Sequence, residues 1–342
     1  MSLSGNLVIV RAGKESLHGG WLELPAGKRG WDLIVSYYHP DACAAHPERE
    51  GVTKHYYPGG KWSGIYDAVT RLGVLERYEY IWCPDDDILI AGGEINRLFE
   101  TAGKWKLALC QPALLPAGFY FHFLVTRCPA FELRFTNFVE VMAPCFSRAR
   151  LGMLLPLFKD RHTGVGLDYI WAAPGLTAPN SAAILDAVSM THTRPVGSAL
   201  GKAAGKLGQP QGRMRRRLLR DFGFERPPPQ VVLAAVAAGQ CLTDADAIYR
   251  LMYSSYAEQA VNYQDPALAA AQNEEMFKSY SGQIAALADF AVTPDKFRHG
   301  IARAKIAGAW SILSLLKGCF TGFDSGLAKH DADSGSIARG GE

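Results

Sequence analysis

The sequence predicts an α/β fold, in which a mostly parallel central sheet with helices on both faces is followed by a mainly helical C-terminal region. Three observations support this prediction. From Leu7 to about Val196, short apolar runs alternate with helical stretches. The composition then changes to a segment rich in Gly, Pro and Arg. After Gln230 the pattern becomes almost wholly helical.

Six apolar runs in the first part are predicted strands, because they are rich in the aromatic and β-branched side chains that suit a sheet. These strands are predicted at residues 6–10, 32–38, 78–83, 106–110, 138–142 and 183–188. Helices are predicted at 62–73, 94–102, 147–158 and 167–173. Ser147 is the expected N-cap of the third helix.

The second part begins with a basic segment, residues 201–229. Between 201 and 226 eight Lys and Arg residues face two acids, which predicts a linker or a mobile basic arm. Further helices are predicted at 230–238, 244–262, 266–291 and 295–319. We therefore expect an α/β domain over 1–200, a linker over 201–229, a helical region over 230–322 and a disordered tail over 323–342.

Composition and charge exclude several classes of protein. The net charge of +3 is too small to make nucleic acid the default partner. The seven cysteines have no zinc-type spacing, and their odd number argues against a complete disulfide framework. We expect neither a signal peptide nor a membrane span, because no basic region followed by a long apolar stretch opens the sequence and no segment has roughly 20 uninterrupted apolar residues. We expect a cytoplasmic protein.

Three consecutive carboxylates, Asp85, Asp86 and Asp87, follow the predicted strand at 78–83. Like charges this close repel one another, so they stay ionised most easily beside a cation. The carboxyl ends of strands are where open α/β sheets bind ligands, and oxygen ligands suit Mg²⁺ or Mn²⁺. The triplet therefore predicts a divalent-cation site, with a solvated acidic turn as the alternative.

Other polar side chains stand at the ends of predicted elements. Lys61 follows a glycine turn and precedes a helix, where its ammonium would meet a diphosphate. Asp168 follows the glycine loop 163–166 and is a candidate general base, with helix capping as the alternative. His192, in a polar loop with Arg194, is a candidate third metal ligand or a structural histidine. Asp186 lies inside a strand, where we expect it to fix a neighbouring loop.

Two basic segments are candidates for contact with an anionic membrane at the inner face. Residues 213–220 carry five arginines, and residues 297–320 mix cations with apolar side chains in an amphipathic manner. A solvated linker and a helix packed on its own domain are the alternative. Nucleic acid is not expected, because no aromatic residues interleave the arginines.

Several of these segments together resemble the domain-of-unknown-function family numbered 707, whose plant members carry a label related to lysine ketoglutarate reductase. The matching stretches are Lys61-Trp62, 78–81 leading into 85–87, 138–144 with 146–148, 166–168 and His192. The family is similar to the nucleotide-sugar glycosyltransferases of the GT-A type. The resemblance implies a GT-A-like catalytic domain over residues 1–200.

The resemblance also implies roles for individual residues. Asp85, Asp87 and His192 would hold Mn²⁺ or Mg²⁺, Asp168 would be the catalytic base, and the donor would meet Lys61, Trp62, Asp85, Asp86 and Arg194. The implied function is metal-dependent transfer of a sugar from a nucleoside-diphosphate sugar to a hydroxyl acceptor, which is a glycan, a glycolipid or a small molecule.

The sequence leaves three further points open. The C-terminal helices would cover the acceptor side or form a homodimer. An Asp-dependent phosphatase or phosphotransferase is one alternative function, since such enzymes also place two aspartates after an apolar strand. A non-catalytic sugar- or nucleotide-binding protein is the other.

Overall fold

The computed structural model describes residues 5–45, 49–159, 161, 163–176, 178, 180–195, 197 and 211–303. The predicted tail at 323–342 lies outside these residues. In chain order the described strands are β1 Asn6–Ala12, β2 Asp32–Tyr37, β3 Val52–Tyr56, β4 Tyr80–Trp82, β5 Ile88–Leu89, β6 Leu109–Leu114, β7 Leu133–Thr136, β8 Cys145–Ser147, β9 Ala182–His192, β10 Val232–Ala237 and β11 Gln240–Leu242.

Ten of these strands form one sheet in the order β11-β10-β7-β9-β6-β8-β4-β1-β2-β3, and β5 pairs with β9 off this path. The pairs β1–β2, β2–β3, β1–β4 and β6–β9 are parallel, and the other pairs are antiparallel. The expectation of a mostly parallel sheet is therefore wrong, and the sheet is mixed. The antiparallel strand β8 lies between β4 and β6, where it interrupts the parallel pattern.

The described α-helices are α1 His18–Trp21, α2 Pro40–Ala45, α3 Lys61–Arg71, α4 Gly92–Lys104, α5 Arg148–Leu154, α6 Asp168–Trp171, α7 Gln211–Asp221, α8 Ala245–Gln259 and α9 Pro266–Ala286. Helices α3, α4, α5, α8 and α9 confirm predicted ones, and Ser147 caps α5 by accepting a hydrogen bond from the Arg150 backbone. The helix predicted at 295–319 is helical from 294 to 303, and its remainder lies outside the described residues.

The predicted helix at 230–238 is wrong, because most of this segment forms strand β10, which pairs with β7. A short apolar run fits a buried strand as well as a helix. The turn after this segment favours the strand. Ala238 and Gly239 both have positive φ, as a two-residue hairpin loop requires, and they lead directly into β11. Residues 232–242 therefore belong to the sheet, while the proposed domain division stays a prediction.

Two other expectations are corrected. Residues 138–142 are a buried loop rather than a strand, and the carbonyls of Val139, Val141 and Met142 accept hydrogen bonds from the side chains of Trp171 and Lys61. Within the predicted linker, residues 211–221 form helix α7, whose side chains Leu218 and Leu219 are buried. These two leucines give the basic segment an apolar face that packs on the domain.

A buried ion pair connects the sheet to the C-terminal helices. The guanidinium of Arg134 on β7 donates to both carboxylate oxygens of Asp186 on β9, at 2.8 Å each. It also donates to the hydroxyl of Tyr256 on α8. The Asp186 carboxylate accepts a further bond from the Cys128 backbone, which confirms that Asp186 fixes a neighbouring loop.

Among the described residues, no helix has both the length and the apolar character needed to cross a membrane.

We expect Asp186→Asn to lower the free energy of unfolding by about 3–5 kcal/mol, because it leaves the Arg134 charge buried without its counter-ion. Glu94→Gln is the control, since it breaks a partly exposed ion pair with Arg97 and should cost less than about 1 kcal/mol. Chemical denaturation measures both losses. Equal losses in the two variants would contradict the central structural role given to this pair.

Candidate functional site

The candidate site lies where the strand order of the parallel part of the sheet reverses. Strand β1 has β2 and β3 on one side and β4 on the other. At such a switch point the loops leaving the carboxyl ends of the two central strands diverge and open a crevice. Here the backbone N–H of Gly13, after β1, donates to the Asp86 carboxylate at 2.8 Å. The acidic triplet therefore lies at the switch point, between the loops that leave β1 and β4.

The three carboxylates of the triplet have three different sets of partners. Asp85 pairs with the Lys61 ammonium at 2.7 Å. Asp86 accepts from Gly13 and lies 3.7 Å from the Arg194 guanidinium. Asp87 lies 3.2 Å from Nε2 of His192. The Asp85 side chain is 38% exposed, against 14% for Asp86 and 13% for Asp87, so Asp85 is the most accessible of the three.

Lys61 joins two parts of the site. Its ammonium donates to Asp85 and to the backbone carbonyls of Val141 and Met142, both at 2.9 Å. Three acceptors use all three of its hydrogens. The loop 138–142 is thereby held against the end of β4, which explains why this apolar run is not a strand.

Trp62, the neighbour of Lys61, lies in the core at 1% exposure. Its ring packs against Phe158 and Trp171 beneath the site. The predicted contact between Trp62 and a donor does not fit this burial. The lysine ammonium lies 5.3 Å from the ring centroid, so the ring supports Lys61 from below.

His192 is oriented by a bond on each side of its ring. Nδ1 faces the Phe119 carbonyl at 3.2 Å, which leaves Nε2 facing Asp87. Burial alone would lower the pKa of His192, but the bond to Asp87 and the nearby negative charges outweigh it and raise the pKa. The same bond outweighs burial at Asp87 and lowers the pKa of its carboxyl. Both shifts favour the charged forms of the two side chains.

The predicted metal ligands Asp85, Asp87 and His192 do not form a ready-made metal centre. Within the described part of the chain, no group of three or more His, Cys, Asp or Glu side chains is arranged to hold a metal ion. Lys61 holds Asp85, and Asp87 is paired with His192. The donor chemistry nevertheless suits Mn²⁺ or Mg²⁺, and Oδ1 of Asp87 is buried without a hydrogen-bond partner. The metal site stays a prediction.

A second pair of carboxyls, Glu140 and Asp168, lies behind Lys61. Both are buried, and Oε2 of Glu140 and Oδ1 of Asp168 have no hydrogen-bond partner. Burial, together with the charges of Asp168 and Asp85, raises the pKa of Glu140 to about 8. Burial also raises the pKa of Asp168 to about 7, although the backbone N–H groups at the start of α6 oppose the shift. Asp168 thus combines partial helix capping with the pKa of a base working near neutrality.

Sequence reasoning missed Arg11, the last charged residue of β1. Its guanidinium donates to the backbone carbonyls of Tyr57 and Gly59, and so fixes the loop that leads into Lys61. Gly64 makes room for it, since a Cβ there would lie 2.5 Å from the guanidinium. A single arginine within an otherwise apolar strand was the available signal.

Arg11 also donates to Ser36, which begins a chain of hydrogen bonds through His55 to Asp67. This order matches a serine nucleophile with its base and orienting acid. Ser36 has 0% exposure, and its hydroxyl already bonds both Arg11 and His55. This hydrogen-bond network therefore positions Arg11.

Helix α7 lies over the glycine loop before Asp168. A Cβ on Gly166 would meet Leu218 at 3.2 Å and Arg215 at 3.5 Å. The positive charge of Arg215 acts against the raised pKa of Asp168. Arg213, Arg216, Arg217 and Arg220 are exposed. Membrane contact through this helix stays a prediction, and residues 304–320 of the second basic segment lie outside the described residues.

No protein-family model matches the chain, and no curated protein matches it. Among the matching solved structures is GalNAc-T7 with UDP, GalNAc and Mn²⁺, at a TM-score of 0.41 and 8% sequence identity. The match covers 64% of this chain and 51% of that one, so the chain spans about half the length of this neighbour. Likeness at this level carries no functional argument.

The Glu140–Asp168 pair predicts a pH-dependent stability. Both pKa values are higher in the folded state than in the unfolded chain. At pH values between the unfolded and the folded pKa, the folded state therefore binds more protons than the unfolded chain. The free energy of unfolding should therefore fall as the pH rises from about 4.5 to about 8, by at most roughly 1.4 kcal/mol per pH unit for each group. Glu140→Gln should flatten this slope.

Urea denaturation at several pH values measures the slope in wild type and in Glu140→Gln. Asp289→Asn is the matched control, because this carboxylate is exposed and should leave the slope unchanged. A slope in Glu140→Gln identical to that of the wild type would mean that Glu140 is ionised and solvated in the folded protein.

Proposed function

We propose that the protein is a glycosyltransferase, which moves a sugar from a nucleoside-diphosphate sugar to a hydroxyl acceptor. The observation that carries this proposal is the meeting of two carboxylate groups at the switch point of the sheet. One group, the triplet 85–87, is partly exposed and has cationic partners. The other, Glu140 with Asp168, is buried and has unpaired oxygens. Sugar transfer needs both environments, one for the leaving diphosphate and one for the acceptor proton.

The donor side lies at the carboxyl ends of β1 and β4. The Arg194 guanidinium is 37% exposed and lies beside Asp86, where it can donate two hydrogen bonds to phosphate oxygens. A divalent cation, when bound, supplies positive charge for the leaving diphosphate. Asp87 and His192 are the pair that would hold it, and Asp85 is the third candidate. Lys61 keeps Asp85 at the mouth of the crevice.

The acceptor side is the pair of buried carboxyls. Oδ1 of Asp168 is the unpaired acceptor, and in an inverting reaction it takes the proton from the attacking hydroxyl. With a pKa of about 7, Asp168 holds this proton and releases it near neutral pH. Glu140, with a pKa of about 8, stays protonated beside it, so the pair carries about one negative charge rather than two.

An Asp-dependent phosphatase would need one aspartate of the triplet to attack phosphorus as a nucleophile. The Lys61 ammonium bonds Asp85, and His192 bonds Asp87. Charged donors on both carboxylates reduce their nucleophilic character. The geometry therefore favours transfer to a hydroxyl over an aspartyl-phosphate intermediate.

Release of nucleoside diphosphate from a panel of nucleotide sugars, with and without Mn²⁺, tests the proposal. Asp87→Asn should weaken Mn²⁺-dependent donor binding by about tenfold or more. Asp168→Asn should leave donor binding intact and lower turnover by roughly 10²-fold or more, because it removes only the base.

Asp289→Asn is the control, since its carboxylate is exposed and belongs to the segment after α9 rather than to the ends of β1 and β4. It should behave as wild type in both measurements. Absence of metal-dependent binding or turnover with every donor in the panel would contradict the proposal.

A further inference from the structure

A second concavity lies between helix α9 and the segments around Phe123, Tyr169 and Pro228. It has a volume of about 500 Å³, within the range of about 300–1,000 Å³ usual for small-molecule sites. One wall is helix α9, which contributes Gln272, Met276, Ser279 and Gln283. We call this concavity the α9 cleft.

The rings in the α9 cleft are held rigidly. Phe123 packs against Tyr256 and Tyr263, with ring centroids 4.6 and 5.7 Å away. Tyr169 packs against Phe138 and against the ring of His122. Since neighbouring side chains fix both rings, a ligand that packs on them loses little energy in ordering the protein.

The polar groups of the α9 cleft are mostly uncharged amides and a hydroxyl. The Tyr120 hydroxyl donates to Oε1 of Gln272 at 2.8 Å, which leaves the amide NH₂ to donate to a ligand. Gln283 donates to the Ser279 hydroxyl, which leaves the Gln283 carbonyl as an acceptor. The cleft thus offers both donors and acceptors along one side of α9.

The charged and polar side chains that line the α9 cleft indicate which class of ligand it would bind. Among the described residues lining the α9 cleft, none is a lysine or an arginine, and Glu275 is the sole carboxylate. A phosphate would find no cation there, and an acyl chain would leave several amides without partners. A neutral ligand with hydroxyl groups and an apolar C–H face fits both the amides and the electron-rich ring faces. Carbohydrates have this chemistry.

The α9 cleft adjoins the candidate base. Tyr169 lines the cleft and directly follows Asp168 in helix α6. Gln230, also in the lining, bonds His122, whose ring lies 4.5 Å from that of Phe138 on the loop carrying Glu140. The Arg215 charge influences His122, Asp168 and Tyr169 together, which places the three groups in one neighbourhood.

We propose that the α9 cleft binds a neutral carbohydrate, and that this carbohydrate is the acceptor whose hydroxyl is presented to Asp168. Its identification as the acceptor rests on the proposed function. Carbohydrate binding by the cleft stands on the lining alone. The C-terminal helix α9 then covers the acceptor side of the site.

Titration of the full chain with lactose, methyl β-glucoside and methyl α-mannoside, followed by ligand-observed NMR, tests the proposal. Ser279→Trp should fill the cleft and weaken binding of the glycoside that wild type binds by about tenfold or more. Ser281→Trp is the matched control, because the same substitution two residues along α9 lies on an exposed position outside the lining. It should bind as wild type.

A second variant, Gln272→Leu, tests the cleft without inserting a bulky ring that could disturb folding. It keeps the side-chain volume and removes the amide. It should also weaken glycoside binding. If no glycoside saturates the wild type, or if Ser281→Trp weakens binding as much as Ser279→Trp, the inference is overturned.

Binding of UDP and GDP, with Mn²⁺ present, is measured on the same variants. If these nucleotides bind and no glycoside does, the α9 cleft assignment alone has failed. If a glycoside binds in the α9 cleft and no nucleotide binds, the glycosyltransferase proposal has failed and the carbohydrate site stands.

Discussion

The ammonium of Lys61 is the interaction on which the candidate site depends. It is the point where the end of β4, the buried loop 138–142 and the start of α3 meet. The positive charge of Lys61 acts against the raised pKa of both Asp85 and Glu140. Without that charge, the carboxylates gathered at this edge would repel one another with little compensation. It lies between a partly exposed acidic group and a buried one.

Support for Lys61 extends well into the sheet. Arg11 fixes the loop before it, and Ser36, His55 and Asp67 fix Arg11 in turn. Trp62 anchors the first turn of α3 in the aromatic core. A rigid backbone thus presents one charged group to the crevice, which is how a fold can place a site more accurately than a loop alone.

The parts of the fold that could be predicted from the sequence are those defined by local pattern. Strands β1, β2 and β4 and helices α3 and α4 have clear apolar periods, and the pattern also located the carboxylates at the end of β4. Strands β7 and β8 are short, and β10 resembles a helix in composition. Their place depends on pairing with distant segments, which a local pattern does not contain.

Several residues of the candidate region were named from the sequence, but Arg11 and Glu140 were not, and neither were the pairings. Asp85–Asp87, Lys61, Asp168 and His192 stand at element ends, and the structure brings them to one region. No spacing indicates that Lys61 bonds Asp85, that Arg194 lies beside Asp86, or that Glu140 joins Asp168 across a buried loop. The α9 cleft was not predictable either, because helix α9 meets the other walls of the cleft only through tertiary packing.

The proposed metal and donor site can be tested with a crystal of the protein soaked with Mn²⁺ and a nucleoside diphosphate. We expect an anomalous peak within coordinating distance of Asp87 and His192, with the diphosphate at the ends of β1 and β4. An ordered diphosphate elsewhere on the molecule, or a metal-free triplet at saturating Mn²⁺ and nucleotide, would contradict it.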